Sequence, residues 1–178
     1  DVRGLALADK LCGVGVAYKV ALALIKTIEK QSHDFVDYRS LSYWGGFAGL
    51  SKWLLDLVAV GTVGDLGPLI GENRVLVKWG LEVLRKTRRV GLLELIKQAQ
   101  IKSIDTQSLS YQIVPRINAA GRLSHAQAAY DLLVTQDQQQ AQMLAQQLHS
   151  LNSQRQKLTD VLVQDAKKQV NNLVLILV

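Results

Sequence analysis

The sequence predicts an α/β fold that is mostly helical within this chain and closes on a single strand. Three observations predict it. Apolar residues recur at threes and fours in one segment after another along the 178 residues. Residues 137–170 contain neither glycine nor proline, so nothing there interrupts a long helix. The last six residues, Leu173-Val174-Leu175-Ile176-Leu177-Val178, form the continuous apolar run of a buried strand.

Bulk properties narrow the function. At 19.7 kDa, with 48% hydrophobic residues, the chain suits one domain, or one domain plus an appended element, around a sizeable core. No uninterrupted apolar stretch is long enough to cross a bilayer and no basic-apolar-small leader opens the chain, so no membrane partner is expected. A single cysteine, Cys12, excludes an internal disulfide and makes a reducing cytoplasm the simplest compartment. The start at Asp1 rather than Met suggests a fragment or a processed product. A net charge of +6 and a pI of about 9.5 favour an anionic partner, nucleic acid first. With only 6% aromatics a long base-stacking platform is not expected, and phosphate contacts are favoured over base reading.

Gly13-Val14-Gly15 reads as a glycine loop opening a helix over 16–30, apolar at Val16, Val20, Leu22, Leu24 and Ile25 and closed by Lys26, Glu29 and Lys30. The glycines suit close helix packing, because a dinucleotide site needs a preceding strand and a fuller glycine pattern. Residues 31–47 read as a surface connection, and the adjacent His33 and Asp34 are poorly placed to converge on one ion. Residues 50–63 read as a buried helix, in which Asp56 fits a solvated face equally well. Gly71-Glu72-Asn73-Arg74 reads as a polar turn capping a helix to about residue 85, with Val75, Val77, Trp79, Leu81, Val83 and Leu84 as its buried face. The basic run Arg85-Lys86-Thr87-Arg88-Arg89 is either a solvated helix end or a phosphate track.

A short helix begins at Gly91. Asp105 is a suitable N-cap for a helix to about Val114, which Pro115 should end. Residues 125–135 read as an amphipathic helix with Ala126, Ala129, Tyr130, Leu132 and Leu133 inward and His125 at the surface. The Gln-rich helix over 137–170 carries a stripe of Leu144, Leu148, Leu151, Leu158 and Leu162, and Asn171-Asn172 breaks it.

Two stretches carry chemistry. In residues 54–69 an apolar run ends in small residues, presents Asp65, and turns away at Gly67-Pro68. A carboxylate brought to the edge of a core in this way suits a hard divalent cation, although an ordinary surface Asp at a helix C-terminus shows the same pattern. In Arg116-Ile117-Asn118-Ala119-Ala120-Gly121-Arg122, two arginines and an asparagine flank small residues. A backbone phosphate could approach such a surface closely, with guanidinium forks binding its oxygens. The alternative is a turn with a structural arginine.

Val58-Ala59-Val60-Gly61-Thr62-Val63-Gly64-Asp65 resembles the last metal-binding motif of the DHH phosphoesterases: an apolar run, Gly-Ser/Thr, two residues and Asp. Pro115-Arg116-Ile117-Asn118-Ala119-Ala120-Gly121-Arg122-Leu123 is similar to a block of one branch, the RecJ single-strand-specific exonucleases. Leu11-Cys12-Gly13-Val14-Gly15-Val16-Ala17-Tyr18-Lys19 is similar to the segment after the DHH signature in that branch, and Glu72-Asn73-Arg74 extends the likeness. The blocks stand in the right order over most of the chain. Gly64 stands where RecJ commonly has Ala, and Val114 where Gly often precedes Pro-Arg.

The resemblance implies an internal fragment. Residues 1–135 would be the C-terminal portion of a DHH domain, 136–170 the interdomain helix, and 171–178 the first strand of the DHH-associated domain. The parallel sheet, the Asp-His-His signature and the earlier aspartate motifs would lie upstream. It also implies 5′-to-3′ hydrolysis of single-stranded DNA in repair and recombination, with two Mn2+ or Mg2+ ions about 4 Å apart. Asp65 would be a catalytic metal ligand, Gly61 and Thr62 would shape its turn, and Arg116, Asn118 and Arg122, with Gly121 beside them, would hold phosphates. Protein partners would be a single-strand-binding protein or a helicase. With one ligand present, the chain alone is expected not to cleave DNA. Two other classes fit less of the sequence: a non-catalytic RecJ-related scaffold, and a small-molecule phosphoesterase.

Overall fold

A computed structural model describes residues 11–31, 38–123 and 126–172. All regular structure among them is helical: α1 (Gly13–Gln31), α2 (Tyr38–Tyr43), α3 (Gly46–Trp53), α4 (Leu55–Gly64), α5 (Gly71–Leu84), α6 (Val90–Gln98), α7 (Thr106–Ser108), a π-helical segment (Leu109–Ile113), α8 (Val114–Leu123), α9 (Gln127–Val134) and α10 (Gln138–Asn172). The α/β expectation thus shows only its helical part here, and the expected strand at 173–178 lies outside the described residues. So do His33, Asp34 and His125.

The chain forms two compact units. Unit 1 comprises residues 1–88 and 101–114, and unit 2 comprises residues 89–100 and 115–178. In unit 1, α4 packs on α5, with α1 and the π-helical segment also against α4. Val58, Ala59, Val60 and Val63 meet Leu76, Val77, Val83 and Leu84 in a core completed by Leu109 and Ile113. Burying each of these valine, leucine and isoleucine side chains contributes about 1.5–3 kcal/mol. The helices approach this closely because Gly80 has no side chain: a Cβ there would collide with the Leu55 carbonyl and Ala59.

By length and composition Gly46–Gly64 could cross a bilayer, at a mean hydropathy of 1.3. In the fold Leu54 divides it into α3 and α4, and α4 carries six buried residues, Asp56 and Thr62 among them.

In unit 2, α10 packs on α6 and α9 through Leu92, Leu95, Ala129, Leu132, Ala141, Ala145 and Leu148. Gly91 lets α6 lie against the Leu132 carbonyl. The buried Glu94 accepts a 2.7 Å hydrogen bond from Gln138. Only the first half of the 35-residue α10 is packed, so Leu158 and Leu162 of the expected stripe are exposed. α10 extends through Asn171 and Asn172, and the residues after them lie outside the described ones.

Other expectations are corrected in the same way. Gly13 and Gly15 lie inside the first turn of α1 rather than in a loop before it, and Gly71-Glu72-Asn73-Arg74 is the first turn of α5. Val75 and Trp79 of α5 and Tyr130 of α9 are exposed, while Leu76 is buried. Pro115 does not end its helix. An α-helical turn would press the proline ring on the carbonyl four residues back and leave that carbonyl without a donor. The wider π-helical turn over Leu109–Ile113 precedes it, and α8 continues past the proline.

Candidate functional site

Asp65 occupies the C-terminal end of α4, where its N–H donates to the Gly61 carbonyl at 2.9 Å. The Leu66 N–H bonds the Val63 carbonyl at 3.2 Å and the Gly67 N–H bonds the Thr62 carbonyl at 3.0 Å. This paired pattern closes a helix around one left-handed residue. That residue is Leu66, at φ 54°, rather than a glycine. Gly67 answers a different need, since a Cβ there would collide with the Cys12 sulfur. Gly61 faces Val14, whose side chain lies 3.0 Å from where its Cβ would be, and Gly64 faces Val114 at 3.2 Å. The small residues before Asp65 therefore serve close packing within unit 1.

Asn73, in the first turn of α5, holds this turn from below. Its Nδ2 donates to the Pro68 carbonyl at 3.1 Å and its Oδ1 accepts from the Cys12 N–H at 3.4 Å. It is nearly fully buried. In the sequence Asn73 reads as part of a polar turn and of the Glu72-Asn73-Arg74 likeness, not as a buried bridge. The available signal was a polar amide placed between two apolar stretches that must both approach it.

Three costs converge on residues 62–66. The Thr62 hydroxyl is buried and finds no hydrogen-bond partner among the described residues. Asp65 puts an exposed carboxylate at the negative end of a helix dipole. Leu66, 85% exposed, takes a backbone conformation that L-residues disfavour. As an oxygen donor Asp65 suits Mg2+ or Mn2+. Among the described residues no group of three His, Cys, Asp or Glu side chains could hold an ion.

Arg116, Asn118, Gly121 and Arg122, expected as a phosphate-facing surface with a turn as the alternative, lie on a helix, α8. Two residues of helix rotate by about 200°, so Arg116 and Asn118 face different ways. Arg116 is half-buried and its Nε donates to His149 Nδ1 at 3.2 Å within unit 2. Burial pushes its guanidinium below the usual arginine value. Asn118 is exposed, and a Cβ at Gly121 would meet nothing within 4 Å. Arg122 follows Asn118 by one helical turn, and its side chain lies outside the described residues. Ala119 and Ala120, next to Asn118 in sequence, are fully buried and anchor the helix.

Three residues of the basic run after α5, Arg85, Thr87 and Arg88, are engaged in structure. Arg85 donates to the Ile104 carbonyl through Nε at 3.2 Å and Nη2 at 2.8 Å, and pairs with Glu82 through Nη1. Arg88 donates to the Tyr43 carbonyl at 2.7 Å and stacks its guanidinium over Trp53. Thr87 is buried and donates a 2.8 Å hydrogen bond to Asp56 Oδ2. Asp56, read from sequence as equally a surface residue, is fully buried.

No family model matches the chain. It is 37% identical over 163 residues to the single-stranded-DNA-specific exonuclease RecJ of Bacillus subtilis, covering 90% of this chain and 18% of that protein. To RecJ of Escherichia coli it is 34% identical over 154 residues, covering 85% and 26%. Its backbone matches a crystal structure of RecJ with Mg2+ from Thermus thermophilus at a TM-score of 0.74 and 34% identity, over 90% of this chain and 23% of that one. It also matches exonuclease RecJ bound to manganese at 0.75 and 33%, over 94% and 39%. The chain spans about a fifth to a quarter of the curated relatives' length. Sequence and backbone agree over nearly all of the chain, which belongs to the RecJ family.

Proposed function

We propose that this chain is the part of a RecJ-type exonuclease that supplies one metal-binding carboxylate and a phosphate-binding helix. Such an enzyme would hydrolyse phosphodiester bonds of single-stranded DNA in the 5′-to-3′ direction, in DNA repair and recombination. The names of the relatives, single-stranded-DNA-specific exonucleases, support the substrate, and the neighbouring structures with Mg2+ and Mn2+ support the ions. The observation that carries the site is the convergence at residues 62–66, where an exposed carboxylate, a strained backbone and an unbonded buried hydroxyl are kept together at a cost in stability.

Asp65 would ligate one of two ions, whose remaining ligands come from outside the described residues. When bound, the ion pair supplies activation of the attacking water and stabilisation of the leaving oxygen. Gly61 and Thr62 shape the turn that presents Asp65. Asn118 and Arg122 contact phosphate from α8, with Gly121 leaving room for close approach, and Arg116 contributes by fixing α8 within unit 2 through His149. In this reading 1–135 belong to the DHH domain, 136–170 to the interdomain helix and 171–178 to the first strand of the next domain, in a cytoplasmic protein that works beside a single-strand-binding protein or a helicase. With a single ligand, the 178 residues alone would not cleave DNA.

The test uses the full-length protein with end-labelled single- and double-stranded DNA, in Mn2+ and in EDTA. Mn2+-dependent release of nucleotides from the single strand alone supports the reading. No release from either substrate counts against it and favours a DNA-binding scaffold.

A further inference from the structure

Two clefts in unit 1 open beside the Asp65 turn and share a wall. One, of about 360 Å³, is lined by Leu66, Gly67, Leu69, Thr106, Ser110 and Tyr111. The other, of about 260 Å³, is lined by Leu69, Arg74, Lys78, Leu81, Arg85 and Thr106. Leu69 and Thr106 belong to both, so the clefts form one groove. It begins at Leu66, the residue after Asp65, and runs along α5.

The chemistry of the groove changes along its length. At the Leu66 end Tyr111 is 73% exposed, so its ring is open to a stacking partner. Thr106 and Ser110 place hydroxyl-bearing residues in the middle. At the far end Arg74 and Lys78 stand one helical turn apart, with about 5–6 Å between their Cβ atoms. Neither has a carboxylate partner among the described residues. The other charges on this wall, Arg85 and Glu82, pair with each other, so the groove keeps two uncompensated positive charges. Two cations at this spacing match successive phosphates of an extended strand, and an exposed ring near them offers a stacking face for a base. An acidic peptide would match the cations but has no use for the ring.

We propose that this groove binds a segment of single-stranded nucleic acid, with successive phosphates on Arg74 and Lys78 and a base stacked on Tyr111, so that the strand passes the Asp65 turn. The identity of the polymer rests on the nuclease reading above, while the groove itself rests on the geometry of unit 1. Its residues are different from those proposed on α8.

The test measures binding of a fluorescein-labelled oligothymidylate to the full-length protein by anisotropy, in EDTA so that no strand is cut, across a salt series. The Arg74→Glu/Lys78→Glu variant should bind at least tenfold more weakly, with the salt slope reduced by about two. Tyr111→Ala should bind about fivefold more weakly at every salt concentration, and Tyr111→Phe should restore wild-type binding. A charge-matched control, Lys157→Glu/Lys167→Glu on α10, should change affinity less than twofold. Far-UV circular dichroism checks that each variant is folded.

Wild-type affinity in both groove variants, or an equal loss in the control, overturns the proposal. So does displacement of the oligonucleotide by polyglutamate at equal charge, which would mark a site for acidic protein. Cleavage by the wild type in Mn2+ separates the two readings. A wild type that cuts and binds while the groove variants bind unchanged overturns the groove alone. A wild type that neither binds nor cuts overturns both.

Discussion

The side-chain amide of Asn73 donates a 3.1 Å hydrogen bond to the carbonyl of Pro68, three residues beyond Asp65. Through its oxygen the same side chain holds the Cys12 N–H, so one buried amide joins the entrance of α1, the turn after α4 and the first turn of α5. Asn73→Ala should cost about 1–3 kcal/mol, because it leaves buried backbone groups without partners. All three tryptophans lie in unit 1, so urea unfolding followed by tryptophan fluorescence reports the loss. The Cys12 thiol, buried beside Gly67, should also react faster with a thiol reagent. Unchanged stability and thiol reactivity would show that Asn73 does not hold this turn.

Asp56 and Thr87 form a second internal tie, 31 residues apart in sequence. Thr87→Val removes a donor to a fully buried carboxylate and should destabilise by about 1.5–3 kcal/mol. With Asp56→Asn the effects should be non-additive, because both act on one hydrogen bond. A double-mutant cycle by chemical denaturation measures the coupling. Additive losses would mean that the two side chains act independently.

Leu66 is left-handed and exposed at the position where a helix end of this type usually carries glycine. Leu66→Gly should therefore raise stability by about 1 kcal/mol. In the full-length protein it should lower cleavage, since it frees the backbone next to Asp65. A destabilised variant would show that the Leu66 side chain, not backbone strain, governs this turn.

Asp105 caps α7 by accepting the Ser108 N–H at 2.7 Å, and Ser108 Oγ accepts the Asp105 N–H at 2.9 Å. The Ser108 N–H, above all, holds the Asp105 carboxyl below its ordinary value of 3.8. A lowered carboxyl pKa adds stability that is fully present above the ordinary value and lost as pH falls through the lowered one. Asp105→Ala should thus be less stable than wild type near neutrality, and the gap should close as pH drops below about 4. A gap that stays constant down to pH 2 would contradict the capping role.

These ties show which parts of the fold were legible in the sequence. The Asp105 cap was legible, because a cap is a local event among four adjacent residues. The long α10 was legible from uninterrupted helix formers, but its packing was not. Leu148 and Leu158 look alike in sequence, yet only Leu148 has a neighbour to bury against. Asp56 was ambiguous because its partner, Thr87, is remote and sat inside a run read as one charged cluster. Pro115 was misread because the stop rule assumes an α-helical turn before it, and the chain supplies a π-helical one. Arg116, Asn118 and Arg122 read as one surface from composition alone, and helix geometry separates Arg116 from Asn118. Asp65 was legible as an acid at the edge of a core. The structure puts that acid, exposed, at the C-terminal end of α4.

The central claim is that Asp65 binds a catalytic metal ion. The most direct measurement is release of nucleotides from end-labelled single-stranded DNA by the full-length protein in Mn2+, comparing wild type with Asp65→Ala, with DNA binding measured in parallel. The account predicts that nearly all cleavage is lost, on the order of a thousandfold or more, while binding is retained. Cleavage at the wild-type rate would make Asp65 an ordinary surface carboxylate and contradict the account.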